Sequence, residues 1–213
     1  MDRAPSTLLI ACGALAWEVA DLIRANRWTQ LSLTCVPAHF HNTPEKIPEA
    51  VRAKIHAARG RYDEILVLYG DCGSGGLLDA MLAEEGVERI PGPHCYQFYA
   101  GKADFVALMD AEPGTFFLTD YLVRHFDRLI INGLGLDRHP QLLGDYFGNY
   151  RKLVYLAQID DADLVAGARK AAERLGLAFE HRHTGYGELG RFLAVASHEE
   201  TERDDPDHHR LLA

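Results

Sequence analysis

Short apolar runs alternate with longer amphipathic stretches along this chain of 213 residues. Thr7–Cys12 (TLLIAC) is apolar nearly throughout and stops at Gly13, which predicts a buried strand. Ala14–Asn26 then places Leu15, Val19, Leu22 and Ile23 at helical spacing. Leu31–Val36 (LSLTCV) reads as a second strand, stopped by Pro37. After the loop AHFHNTP, the four-residue spacing of Ile47, Val51 and Ile55 predicts a helix over Glu45–Arg59. Thr43 is its expected N-cap, and Pro44 and Pro48 fall where a missing N–H costs little. Glu64–Tyr69 (EILVLY) is the clearest buried strand; it opens onto GDCGSGG and a helix, Leu77–Glu85, closed by Gly86.

The pattern continues with a short strand near Val87–Ile90 and a turn-rich loop, PGPHCYQFYAG. A helix over Lys102–Asp110, a strand over Thr115–Thr119 and a helical stretch over Asp120–Ile131 follow, interrupted by Asn132–Leu136 (NGLGL). Pro140–Tyr150 restarts a helix, and Lys152–Ala157 (KLVYLA) is again a strand. Asp160 or Asp161 caps a helix over Ala162–Leu175, which Gly176 ends; Leu177–His181 and Tyr186–Val195 read as the last strand and helix. Strands apolar on both faces alternating with helices predict an α/β fold: a mostly parallel sheet of five or six strands with helices on both faces. One such domain is expected over residues 1–197, with Pro113–Gly114 as a potential internal boundary. Residues 198–213, with six carboxylates, read as an acidic, mobile tail in which the His208–His209 pair is incidental.

Composition narrows the classes. Hydrophobic residues make up 47% and charged residues 25%, the proportions of a soluble globular chain rather than a disordered one. No run reaches the roughly 18 apolar residues of a membrane span, and the N-terminal apolar run passes directly into the charged WEVADLIRAN rather than a cleavage site. Thirty-one acidic against 22 basic residues, a net charge of −9, argue against nucleic acid or anionic membrane as partners. Four cysteines are too few for a disulfide scaffold, so free thiols in a cytoplasmic setting are expected.

The positions of those cysteines carry the chemistry. Cys12 and Cys35 close the first two strands, Cys72 lies just beyond the third, and Cys95 sits in the GPHCY loop. The carboxyl ends of parallel strands share one edge, where ligand sites form. Thiolates with imidazoles bind zinc, iron or copper(I); Cys12, Cys35, Cys72, Cys95, His41 and His94 are therefore the candidate metal ligands. His39, Asn42, Asp71 and Asp120 are candidates to support them, Asp71 by orienting a histidine and Asp120 at the end of TFFLT unless it only caps the next helix. Helix N-termini after Gly13 and Gly76 are expected to lower the thiol pKa values. GDCGSGG fits neither the dinucleotide nor the P-loop pattern, and no following lysine could reach a phosphate. No GxSxG is present, and a lone Cys–His nucleophile leaves three cysteines without a role.

The runs IACGALAWEV, CVPAHFHNTPEKI, YGDCGSGGLLD, GPHCYQFYAG and GTFFLTDYL together resemble domain-of-unknown-function family 1638, up to about Leu193. The resemblance marks Cys12, Cys35, His41, Asn42, Asp71, Cys72, His94 and Cys95. It implies a setting in one-carbon metabolism, beside corrinoid-dependent methyltransferases or their reactivation proteins. The combined expectation is a metal-binding protein that serves corrinoid-dependent methyl transfer or its reactivation. Zinc is the expected metal, with an iron–sulfur cluster as the alternative should all four cysteines bind. A non-catalytic chaperone for a corrinoid protein, or a metal-free cysteine-nucleophile enzyme, remain the competing readings.

Overall fold

A computed structural model describes residues 5–198. The acidic tail expected beyond His198, with its histidine pair, lies outside the described residues. The described residues form two compact units: one from residues 5–98 together with 188–198, the other from Tyr99–Gly187. Pro113–Gly114 lies inside the second. The fold is α/β and every strand pairing is parallel. Among the described residues there are seven strands rather than five or six, and they form separate sheets of four and three.

In the first unit the order of elements is β1 (Thr7–Cys12), α1 (Ala16–Ala25), β2 (Leu31–Val36), α2 (Ile47–Ala58), β3 (Glu64–Leu68), α3 (Leu77–Glu85), the two-residue β4 (Glu88–Arg89) and the start of α4 (Cys95–Ala100). The strands lie in the order β2-β1-β3-β4. All six residues of β1 are buried, so both faces of its sheet are covered. Helix α2 packs on β1 and β2 through Ile47, Val51, Ile55 and Ala58. It begins later than its apolar spacing predicts: Pro44–Lys46 form a tight 3-10 turn, and the Thr43 side chain makes no capping bond. Helix α3 matches its expected bounds, with Gly86 in the left-handed conformation at φ 63°. Cys95, expected in a loop, instead opens α4, because the turn residues of PGP end at Pro93, two positions earlier.

The second unit contains α5 (Lys102–Ala111), β5 (Thr115–Leu118), α6 (Asp120–Arg124), α7 (Leu143–Phe147), β6 (Lys152–Ala157), α8 (Ala162–Leu175) and β7 (Ala178–His183), with β6 between β5 and β7. Helix α9 (Gly187–Ala196) leads back into the first unit. The long helix expected over Asp120–Ile131 is broken: α6 stops after Arg124, and a π-helical turn occupies Asp127–Ile131. Asp161 caps α8 by accepting the Asp163 and Leu164 N–H groups, and Ala168, Ala171, Ala172 and Leu175 bury its inner face. Among the described residues no helix is long and apolar enough to cross a membrane.

One surface ion cluster fastens α2 to α3. The Glu85 carboxylate accepts from Arg59 at 2.8 Å, His56 at 2.9 Å and Arg52 at 2.9 Å. Arg59 foremost, then His56 and Arg52, hold its pKa down to about 2. An unfolded glutamate titrates near about 4.3, so the pairing stabilises the fold above that value and is lost as pH falls. Glu85→Gln is expected to lower the melting temperature at neutral pH, with the difference from the parent closing towards pH 2. Thermal melts across the acid range check this; a difference that persists unchanged at the acid end contradicts it.

Candidate functional site

The parallel register decides which thiols can meet. Cys12 is opposite Val36, while Cys35 is opposite Ala11, one position earlier. Side chains alternate along a strand, so Cys12 and Cys35 leave the sheet on opposite faces. Cys12 ends β1 and its sulfur accepts the Ala14 N–H at 3.4 Å. The connections after β2 and β3 then close over this edge against two glycines, where a Cβ would be crowded at Gly13 and would not fit at Gly70. A Cβ on Gly13 would meet the Val36 carbonyl oxygen and the Ala38 nitrogen at 3.1 Å each. A Cβ on Gly70 would meet Pro93 O and His94 Cα at 2.9 Å each, a separation real Cβ atoms do not show. The first contact brings the Ala38–Asn42 turn, and with it His41, beside Cys12. The second lays the chain leading to Cys95 along the one leading to Cys72, and the Cys72 N–H donates to Pro93 O at 2.9 Å.

Tyr69 lies at the middle of this arrangement. It is fully buried, and its hydroxyl has no nitrogen or oxygen hydrogen-bond partner. The groups around it are the thiols of Cys12, Cys72 and Cys95. Burial first, then these thiols, push the phenol far above its ordinary pKa. His41 stacks on the Tyr69 ring with centroids 5.8 Å apart, and its Nδ1 lies 3.9 Å from Cys12 Sγ. The same nitrogen is 3.0 Å from Ala38 O. A carbonyl only accepts, so Nδ1 carries the proton in neutral His41 and Nε2 keeps its lone pair. His41 is at the mouth, open to solvent on one side. Its packed side disfavours charge, but the Cys72 thiol and the Ala38 carbonyl outweigh this and raise its pKa.

The thiols are not activated in the way helix N-termini alone would dictate. Burial raises the Cys12 pKa more than the Ala14 N–H and the Tyr69 hydroxyl lower it. Cys95 is raised well above its ordinary value by burial, then by Cys72, Cys12 and the nearby Glu18 carboxylate. Cys35 is raised by burial and by Cys12, against Lys54. Desolvation therefore exceeds the dipole contribution, and these thiols are neutral at pH 7. Cys72 has a backbone φ of 48°, the left-handed region that costs a side-chain-bearing residue about 1–2 kcal/mol.

The remaining expected residues divide clearly. Burial and the His41 charge favour neutral His94 imidazole and lower its pKa, while Asp71 opposes them. His39 is exposed and stacks on Phe40 at 4.8 Å, and Asn42 is exposed beside it. Asp71 does not orient a histidine. It accepts from the Ser74 hydroxyl at 2.6 Å and the Gly76 and Gly75 N–H groups at 2.9 and 3.2 Å, which shapes the GDCGSGG turn. Asp120 lies in the second unit, where Tyr155 Oη donates to it at 2.7 Å and the Gln158 and Ile159 N–H groups at 3.1 and 3.2 Å. Thr119, not Asp120, is the cap of α6. Tyr69 and Glu18 escaped the sequence reading: a tyrosine ending an apolar strand reads as core, and a glutamate in a helix reads as surface. Among the described residues, no three His, Cys, Asp or Glu side chains already stand close enough to enclose an ion.

The close approach at Gly70 gives a direct test. Gly70→Ala must displace Pro93–His94 backbone, and is expected to cost about 1–3 kcal/mol of stability. It should also speed the reaction of Cys72 and Cys95 with a thiol reagent. Urea denaturation and timed thiol titration measure the two effects, and unchanged values of both contradict the packing described.

No curated protein and no solved structure matches the chain. The family described as "Protein of unknown function (DUF1638)" matches residues 35–193, a span that contains Cys35, Cys72 and Cys95 with His41 and His94 and leaves Cys12 upstream. The chain therefore belongs to the DUF1638 family of proteins of unknown function.

Proposed function

We propose that the first unit is a thiolate–histidine metal-binding module, with Cys12, Cys72, Cys95 and His41 as ligands and zinc as the metal. The observation that carries this reading is the gathering of the Cys12, Cys72 and Cys95 thiols and the His41 ring around the buried Tyr69 hydroxyl, whose hydrogen-bonding company is sulfur rather than nitrogen or oxygen. Three further features support it. His41 has its Nδ1–H on a backbone carbonyl, the support that ordinarily leaves Nε2 for a metal. Cys72 occupies a backbone conformation that glycine or asparagine would adopt more cheaply, which fits a sulfur retained for its chemistry. The thiols lie at the end of β1, on the connection after β3 and at the start of α4, all element ends, where a small shift would bring them to bonding distance once a cation replaces their protons. His94 and the neighbouring Asp71 turn stand at the rim as supporting groups.

Bound zinc would supply Lewis acidity at a site that holds thiols. Tyr69 is placed to hydrogen-bond a ligand atom that enters among the sulfurs. The family resemblance points this chemistry to corrinoid-dependent methyl transfer or reactivation, with a corrinoid protein as partner. A four-cysteine iron–sulfur cluster is less well supported, since Cys35 leaves the sheet on the face opposite Cys12. A second reading rests on the Cys72–His41 pairing alone: a metal-free thiol nucleophile with His41 as its base.

Elemental analysis of the protein, purified anaerobically from metal-replete cells, tests the proposal. Stoichiometric zinc is expected in the parent and in Cys35→Ser, and its loss in Cys12→Ser, Cys72→Ser and Cys95→Ser. Cys72→Gly should lose the metal while the apo fold stays within about 1 kcal/mol of the parent, since backbone strain is relieved. Because the thiols of Cys12 and Cys95 are held protonated, zinc affinity should rise with pH as protons are released. A metal-free parent protein, or zinc unaffected by these substitutions, overturns the proposal. Anaerobic pull-down with a corrinoid protein tests the partner separately.

A further inference from the structure

The second unit has a cleft of its own, remote in chemistry from the thiols. Residues 123–128, at the end of α6 and the start of the π-helical turn, form one wall, and α8 forms the other. The volume is about 490 Å³, within the range that small-molecule sites occupy. Gly167 allows the two walls to meet: a Cβ there would press Val123 Cγ1 at 3.0 Å.

The lining is unusual for a chain of net charge −9. Arg124 ends α6 and Arg128 lies in the π-helical turn on one wall, while Lys170 and Arg174 on the other stand four apart on one face of α8. Arg174 is bound to Asp127 at 2.6 Å. Among the described residues, Arg124, Arg128 and Lys170 have no ion pair, although carboxylates outnumber cations over the whole chain. Unpaired cations on facing walls of one concavity repel each other, a cost that an anion between them would remove. His125 feels both arginines: burial first, then Arg128 and Arg124, lower its pKa, which leaves a neutral imidazole able to donate or accept. Val123, Phe126 and Ala171 supply apolar lining beside the charges. The π-helical turn is itself a rare departure from the helix and recurs at functional sites.

We propose that this cleft binds a small phosphomonoester, with the phosphate between Arg124, Arg128 and Lys170 and the organic part against Val123, Phe126 and Ala171. Guanidinium groups match phosphate oxygens in pairs, and two facing walls can contact a tetrahedral dianion from several sides, which a planar carboxylate does not offer. This site is independent of the thiol centre and would stand if that reading failed.

The test is a titration of the full chain with phenyl phosphate, followed by 1H–15N correlation spectra at constant ionic strength, with inorganic phosphate and sodium chloride as parallel arms. Saturable shifts are expected at Arg124, His125, Arg128, Lys170 and Arg174, with phenyl phosphate binding more tightly than inorganic phosphate. The double variant Arg128→Gln/Lys170→Gln should weaken phenyl phosphate binding by about tenfold or more. Both residues are exposed and unpaired among the described residues, so the variant's melting temperature should match the parent's. Shifts that do not saturate, that chloride reproduces, or that persist with unchanged affinity in the double variant overturn the proposal. So does saturable binding of a glutamate-rich peptide in the absence of phenyl phosphate binding, which would make the cleft a protein-docking surface.

Discussion

The chemistry of the first unit depends on how closely backbone can approach backbone at Gly13 and Gly70. Each glycine stands where a connection from a neighbouring strand lies within about 3 Å of the position a Cβ would take. Parallel strands place their carboxyl ends along one edge, but an edge by itself only lines groups up side by side. What turns the row into a cluster is the folding of the β2 connection over β1 and of the chain before α4 over the end of β3. A methyl group at Gly70 would hold the chain before Cys95 away from the one before Cys72, and one at Gly13 would crowd the turn that carries His41.

Once the loops are closed, desolvation governs the electrostatics. Helix N-termini and backbone N–H groups near the sulfurs favour thiolate, yet burial outweighs them at Cys12 and Cys95. Mutual proximity adds to the effect, because each thiolate would face another sulfur. The Tyr69 phenol shares this setting and is also held neutral. The Cys12 and Cys95 thiols and the Tyr69 phenol are thus held uncharged side by side, and a bound cation would favour the charged sulfurs. A lone reactive cysteine calls for the opposite balance, with a depressed pKa and open access.

The second unit follows a different logic. Its carboxylate of interest, Asp120, is consumed by Tyr155, Gln158 and Ile159, which fastens the end of β5 to the turn after β6. Its distinctive surface is cationic, on an acidic chain, and is organised by a break in the helical pattern rather than by a strand edge. The two units thus offer contrasting chemistries: buried sulfur beside imidazole in one, fixed positive charge in the other.

Most elements are legible in the residues themselves because burial imposes periodicity. TLLIAC and KLVYLA can only be strands covered on both faces, Ile47, Val51 and Ile55 can only share a helical face, and Asp161 and Gly176 mark the ends of α8 by their capping chemistry. The placement of Cys12, Cys35 and Cys72 at or just past strand ends is equally legible, and the parallel pairing of β1, β2 and β3 sets those ends along one edge. Pairing between strands was not: nothing local says that β5, β6 and β7 form a sheet separate from the other four, or that Cys35 aligns with Ala11 and so faces away from Cys12. Tyr69 looks like any core tyrosine until the fold leaves its hydroxyl without an oxygen or nitrogen partner among thiols. Arg124 and Arg128 lie some forty residues from Lys170 and Arg174, and an acidic average hides them. Local sequence determines which residues are buried and where helices begin and end, since those depend on near neighbours. Which distant groups meet depends on strand register and on how near two connections can pass, and only the tertiary structure decides that.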